Sequence, residues 1–326
     1  MMILPSAFVL VSTFVVCKLK YAEAKYKFVF ERQMLAEILS FMGWSVFGNV
    51  VYLVYNALVN VILNNVLGGG INAARALSVQ VSTAVSSFAN NFLAATRPQL
   101  VQNWATQDKN RSRALTLLSA KYAYFMVLVF VLPLELETNF VIGVWLDKIP
   151  EYTIMLTRII LVCSLVEVLS YPPLTLIQAV GKIAAYQITV SAILFINAPA
   201  VYVILKLGGG VGLAMSSAIA IAMVATLARL VFLQRLSDIK IAEFFKAVVY
   251  PAGMVTAVSI PLPLAVFAAM PEGVVRFICV VPLSVACVIL GALYLGMGKA
   301  ESDCVKNLIV KKVKSLFKYG SNNMPK

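Results

Sequence analysis

Residues 34–67 read MLAEILSFMGWSVFGNVVYLVYNALVNVILNNVL, and Glu37 is the one charged side chain among them. A helix needs about 20 mostly apolar residues to cross a bilayer. This run exceeds that and contains no proline, so it predicts a membrane helix whose ends reach into the interface or beyond. Gly68, Gly69 and Gly70 end it, and a second long run opens at Ile71. The same test applied along the chain predicts nine spans: 1–17, 34–67, 71–97, 114–146, 152–180, 183–206, 210–234, 244–270 and 274–297. The expected fold class is therefore all-α, a polytopic helical membrane protein.

Composition points the same way. Of the 326 residues, 61% are hydrophobic and 13% charged, and the mean hydropathy is +0.90. A soluble domain is about 45–50% apolar and about 25% charged. A water-soluble enzyme and a disordered tail are both excluded. The chain has no histidine. That removes His-ligated metals, Ser-His and Cys-His nucleophile pairs and histidine proton relays. Cys17, Cys163, Cys279, Cys287 and Cys304 show no ligand spacing and read as scattered thiols. No cofactor, no metal and no enzymatic activity are expected.

The net charge of +13 would suggest nucleic acid in a soluble protein. Here the cations fall in alternate loops. Five follow the first span, four surround the loop after the third, one follows the fifth, four surround the loop after the seventh, and seven lie in the tail, which accounts for 21 of the 27. Arg75, Lys148, Lys206 and Arg276 fall on the other side, and Lys121 and Arg158 inside spans. The positive-inside rule then places the C-terminus in the cytoplasm, with no nucleic-acid partner required. The positive charge follows the first apolar run rather than preceding it, which disfavours a cleaved signal peptide. That run reads as a helix crossing from outside to inside, and further spans upstream are expected. Residues 304–319 carry Val305, Leu308, Ile309, Val313, Leu316 and Phe317 on one helical face and lysines mostly on the other. This pattern reads as an amphipathic helix on anionic membrane lipids or as a solubilising tail.

Polar residues inside the hydrocarbon mark the places where function concentrates. Asn49, Asn56, Asn60 and Asn64 are spaced 7, 4 and 4 apart, within about 80° of one helical face. Arg75, Ser78, Ser82, Ser86, Asn90 and Arg97 share a face of the next span. Two such stripes either line a common hydrated space or act as packing contacts between helices. Arg75 stands near the outer side, where positive-inside bias and the helix N-terminus both disfavour a cation. It reads as an anion contact, as a side chain reaching the interface, or as half of an ion pair. Glu167 lies four residues before Tyr171-Pro172-Pro173. A carboxylate beside a broken helix suits an ion or proton site in a transporter, and equally a kink with a satisfied acid.

The run Ser40-Phe41-Met42-Gly43-Trp44-Ser45-Val46-Phe47-Gly48-Asn49, with Asn60, Asn64 and Ile71-Asn72-Ala73-Ala74-Arg75, resembles the C-terminal part of polysaccharide flippases. These are the Wzx-type O-antigen transporters of the MATE-like, or MOP, superfamily. Phe88-Ala89-Asn90-Asn91-Phe92, Arg97-Pro98-Gln99, Val144-Trp145-Leu146, Pro150-Glu151-Tyr152-Thr153, Gln178-Ala179-Val180-Gly181-Lys182 and Tyr186-Gln187 are similar too. The likeness covers about residues 20–250. It implies a division into the last helix of an N-terminal lobe plus a basic cytoplasmic linker (1–33), a C-terminal six-helix lobe (34–234), two additional spans (235–297) and a basic cytoplasmic tail (298–326). The chain would then lack about five N-terminal spans. The resemblance further implies a transporter in the cell's inner, or plasma, membrane. It would export an oligosaccharide linked to polyprenyl diphosphate by alternating access, for surface polysaccharide or lipopolysaccharide O-antigen synthesis. The substrate headgroup would meet Arg75, Arg97, Arg158 and Lys121, the cavity would be lined by Asn49, Asn56, Asn60, Asn64 and Asn90, and Glu167 would couple transport to an ion. Partners would be the lipid-linked oligosaccharide, membrane lipids, and polysaccharide assembly proteins or a first lobe. A MATE-type multidrug or cation antiporter and a membrane enzyme of envelope assembly stand as alternatives.

A reporter fused to the C-terminus tests the charge argument. A green fluorescent protein fusion is expected to fluoresce, and an alkaline phosphatase fusion to stay inactive.

Overall fold

The computed structural model describes residues 3–20, 30–298 and 301. The fold is 88% helical, with no strand among the described residues. Helix α1 is Ile3–Lys20, α2 Arg32–Leu67, α3 Gly70–Ala105, α4 Lys109–Trp145, α5 Thr153–Val168, α6 Tyr171–Val180, α7 Ala184–Phe195, α8 Asn197–Lys206 and α9 Val211–Ser237. Then follow α10 (Ile241–Phe244), a π-helical turn over Phe245–Val249, α11 (Tyr250–Ser259), α12 (Pro261–Ala269), α13 (Val274–Gly291) and a second π-helical turn over Ala292–Gly296. The amphipathic stretch 304–319, most of the basic linker and Cys304 lie outside the described residues.

Among the described residues, six helical stretches are long and apolar enough to cross a membrane, seven when α5 and α6, bent by 42° at their junction, count as one span. The protein is a membrane-embedded, multi-pass helical protein. Of the nine expected spans, 1–17, at α1, is not among the seven, and neither is 71–97, at α3. In α3 the row of serines, asparagines and arginines dilutes the apolar content. Burial confirms the setting: large apolar side chains such as Leu53, Val61, Leu213 and Val258 are exposed, while Arg75, Lys121, Glu137 and Arg276 are buried. A protein in water arranges these the other way round.

Two compact units divide the chain, Met1–Gly43 and Trp44–Lys326. The first holds α1, with Phe8, Leu10 and Phe14 exposed along it, and the opening turns of α2. In the second, α3 packs against α4 and α5, α5 against α9, and α13 against α4. Residues 235–297, expected as an addition to a six-helix lobe, belong to this same unit. Val85, Leu93, Leu128, Leu161, Val255 and Val288 share one core. A second cluster gathers Val59, Leu63, Ile71, Ala74, Leu156, Val201, Val211 and Met215.

Local chemistry explains the breaks. Gly68 adopts φ +86°, a left-handed conformation that glycine reaches without penalty, and its N–H returns to the Asn64 carbonyl at 2.9 Å. Gly208 repeats this at φ +79° before α9. The double proline was expected to break a span. The break instead falls just before it, and Pro172 and Pro173 occupy the first turn of α6, where a missing N–H removes no helical bond. Helix α4 bends at Glu137 (φ −100°, ψ 20°), one turn beyond Pro133, whose ring and lost donor weaken the ladder.

That bend carries the best-buried ion pair in the described structure. Arg276 grips Glu137 in a fork, Nε to Oε1 at 2.9 Å and Nη2 to Oε2 at 3.0 Å, with the Phe267 ring 4.3 Å from the guanidinium carbon. The charge count treats Arg276 as an outer-side cation. The structure puts it in α13, buried, as a clamp between α4, α12 and α13. Arg276→Met alone strands a buried carboxylate, a loss of roughly 3–5 kcal/mol. Thermal unfolding in detergent is expected to show a large fall for this variant, and most of it recovered in Arg276→Met with Glu137→Leu.

Candidate functional site

The two polar stripes meet. A cavity of about 300 Å³ is lined by Tyr52, Tyr55 and Asn56 of α2, Arg75, Ser82, Thr83, Ser86 and Asn90 of α3, Cys163, Ser164 and Glu167 of α5, Tyr171 of α6 and Asn197 of α8. Apolar residues of α9, including Met215 and Ala222, close another side. The 3.6-residue period places Arg75, Ser82, Ser86 and Asn90 on one face of α3, and that face is turned inward.

Arg75 anchors the site. It is 9% exposed. Its Nη1 donates to the Asn60 side-chain oxygen at 2.5 Å and its Nη2 to that of Asn56 at 2.8 Å. Its Nε is buried without a partner. Among the described residues no carboxylate pairs with it. Neutral amides therefore fix the guanidinium plane and leave its charge uncompensated. A cation in this state, inside a membrane, normally faces water or a counter-ion. Of the three readings open to Arg75, the ion pair is absent among the described residues, and the side chain faces the cavity.

Glu167 faces the same cavity, and among the described residues its carboxylate receives no hydrogen bond. The bend behind it is braced. The Ser170 hydroxyl donates to the Glu167 carbonyl at 2.7 Å, while Arg229 Nη1 donates to that hydroxyl at 2.5 Å and Arg229 Nε to the Tyr186 hydroxyl at 3.3 Å. Arg229 is also the cation whose charge acts on Glu167. It lies within α9, half-buried, inside the expected span 210–234, although the charge pattern counts it with the cations around the following loop. A second chamber of about 200 Å³ is lined by Arg229 with Ser45, Asn49, Gln178, Tyr186, Gln187 and Ser191, and shares Tyr52 and Leu194 with the first. Gln187 lies against the bare backbone of Gly48, where a Cβ would stand 1.4 Å from its Nε2.

The sequence candidates separate. Asn56, Asn90, Arg75 and Glu167 line the main cavity, Asn60 holds Arg75, and Asn49 lines the second chamber. Asn64 sits at the Gly68 turn, its side-chain oxygen 3.6 Å from where a Gly69 Cβ would stand. Arg97 is exposed on α3. Lys121 pairs with Glu301 at 2.7 Å, and Tyr122 donates to the same carboxylate at 3.1 Å. Arg158 lies 3.4 Å from the Thr138 hydroxyl, near Glu135, beside a pocket formed with Pro150–Thr153. These last three cations do not line the main cavity.

Residue-by-residue reading of the stripes missed Tyr52, Tyr55, Tyr171, Asn197 and Arg229. Asn197 binds the Tyr55 hydroxyl at 2.7 Å and receives Ser217 at 3.0 Å. An amide two residues before Pro199 in an apolar run was its available signal. Comparisons with protein families, curated proteins and solved structures found no match to this chain.

The serines of α3 divide between the two roles expected of them. Ser78 is fully buried and bonds Thr157 and the Ala74 carbonyl at 3.0 and 2.8 Å, while Ser86 faces the cavity. Ser78→Ala is expected to lower unfolding stability by about 1 kcal/mol. Ser86→Ala is expected to leave thermal stability unchanged in the same detergent.

Proposed function

We propose that the chain is the substrate-binding part of a transporter that exports a lipid-linked oligosaccharide, carried on polyprenyl diphosphate, across the inner membrane by alternating access. The observation that carries the reading is Arg75: a buried guanidinium, fixed by Asn56 and Asn60, with no acid paired to it among the described residues, in an otherwise mostly neutral polar cavity. A diphosphate supplies the missing charge, and Arg favours phosphate oxygens because its planar donors match them in pairs. The amides and tyrosines around it offer hydroxyl partners and apolar ring faces to the first sugars, while the lipid tail stays in the bilayer. The sequence resemblance to Wzx-type flippases of the MOP superfamily supports the same reading. The resemblance adds a first lobe or assembly proteins as partners, the charge pattern a C-terminus in the cytoplasm, and the carboxylate beside the α5–α6 break Glu167 as the site of H⁺ or Na⁺ coupling.

One observation favours a second reading. Glu167 and three tyrosines face the same cavity, a set that also suits an organic cation, as in a MATE-type drug antiporter. Drug accumulation in cells with and without the protein separates the two.

The test is Arg75→Ala in the full-length transporter. Removing a charged hydrogen-bonding partner worth about 1.5–3 kcal/mol is expected to reduce surface polysaccharide about tenfold or more at unchanged protein level. Normal surface polysaccharide in that variant would remove Arg75 as the headgroup contact.

A further inference from the structure

The second chamber holds a cation that the reading above does not use. Among the described residues Arg229 donates to neutral groups, the Ser170 and Tyr186 hydroxyls. Around it stand Asn49, Gln178 and Gln187, amides able to donate to an anion. Glu167 is near enough to act on its charge but does not pair with it among the described residues. Two chambers thus contain one arginine each, and Tyr52 lies on the wall between them.

Their depths differ. Ile71, Ala74, Val211, Ala214 and Met215 pack in one cluster, so α3 and α9 start at the same end of the bundle. Arg75 lies five residues after Gly70, the start of α3, and Arg229 eighteen after Val211, the start of α9. The difference of thirteen residues, at about 1.5 Å of rise each, separates them by roughly 20 Å along the bundle. One diphosphate cannot bridge that distance, so the two arginines cannot form a single headgroup clamp.

We propose that Arg229 is a second oxyanion station, at the opposite end of the passage from Arg75, which takes the same diphosphate headgroup at another stage of its transit. This rests on the reading of the substrate as a lipid diphosphate. The headgroup leaves one guanidinium for the other past Tyr52, which lines both chambers. The neutral partners of Arg229 keep it in place when no anion is bound.

The probe is inorganic diphosphate, its stoichiometry measured by calorimetry on the full-length protein in detergent. Two sites are expected in the wild type, and one each in Arg75→Gln and Arg229→Gln. Arg229→Lys retains the charge and is expected to restore the second site. Gln178→Glu leaves Arg229 and its hydrogen bonds in place but adds a competing carboxylate, and is expected to abolish that site even if Arg229→Gln unfolds. Farnesyl diphosphate is expected to compete at both sites, and failure to compete would overturn the assignment to a lipid-borne headgroup. Two sites persisting in both Arg229→Gln and Gln178→Glu, or a single site lost only in Arg75→Gln, would overturn the Arg229 station while leaving the transport reading intact. No binding by the wild type would overturn both.

Discussion

Hydrocarbon gives a polar side chain no water to turn to, and that constraint organises this molecule. Each amide, hydroxyl or charge placed in a span must find a protein partner or a shared wet space. The apolar side chains, which a soluble protein would hide, face outward instead. Arg75 is where the constraint bites hardest. Two asparagines on the neighbouring helix satisfy part of its guanidinium, while its Nε stays buried without a partner among the described residues.

The charges in the spans have three physical fates. Glu137 and Arg276 cancel each other in a buried fork, and the pair joins helices far apart in sequence. Lys121 finds Glu301 at the far end of the chain. Arg75, Arg229, Glu167, Arg158 and Glu135 have no ion pair among the described residues, and the first three line two chambers that share Tyr52 and Leu194. Partnered charges are consistent with packing. Those without a pair are the ones able to act on something that arrives from outside.

The bends serve that arrangement. Proline starts α6 rather than interrupting it, so α5 ends cleanly and the Glu167 carbonyl is free to accept from Ser170. Arg229 braces that same serine. The junction is where the backbone ladder is already interrupted, which is where a helix can change angle at least cost.

The apolar runs were legible along the chain because helix length and hydropathy act locally: any stretch of that composition must be a helix to satisfy its backbone in lipid. The polar faces of α2 and α3 were legible for the same reason, through the 3.6-residue period. Spacing within one helix could not say that Asn60 reaches Arg75, that Ser78 packs while Ser86 lines, or that Arg97, Lys121 and Arg158 stand away from the main cavity. Nor could it say that Arg229 and Arg276, counted with the loops by position, turn inward. The sequence by itself determined a multi-pass helical membrane protein with two polar stripes. Only the tertiary structure decided which charges cancel and which stay open, because pairing depends on which helices are neighbours and at what depth.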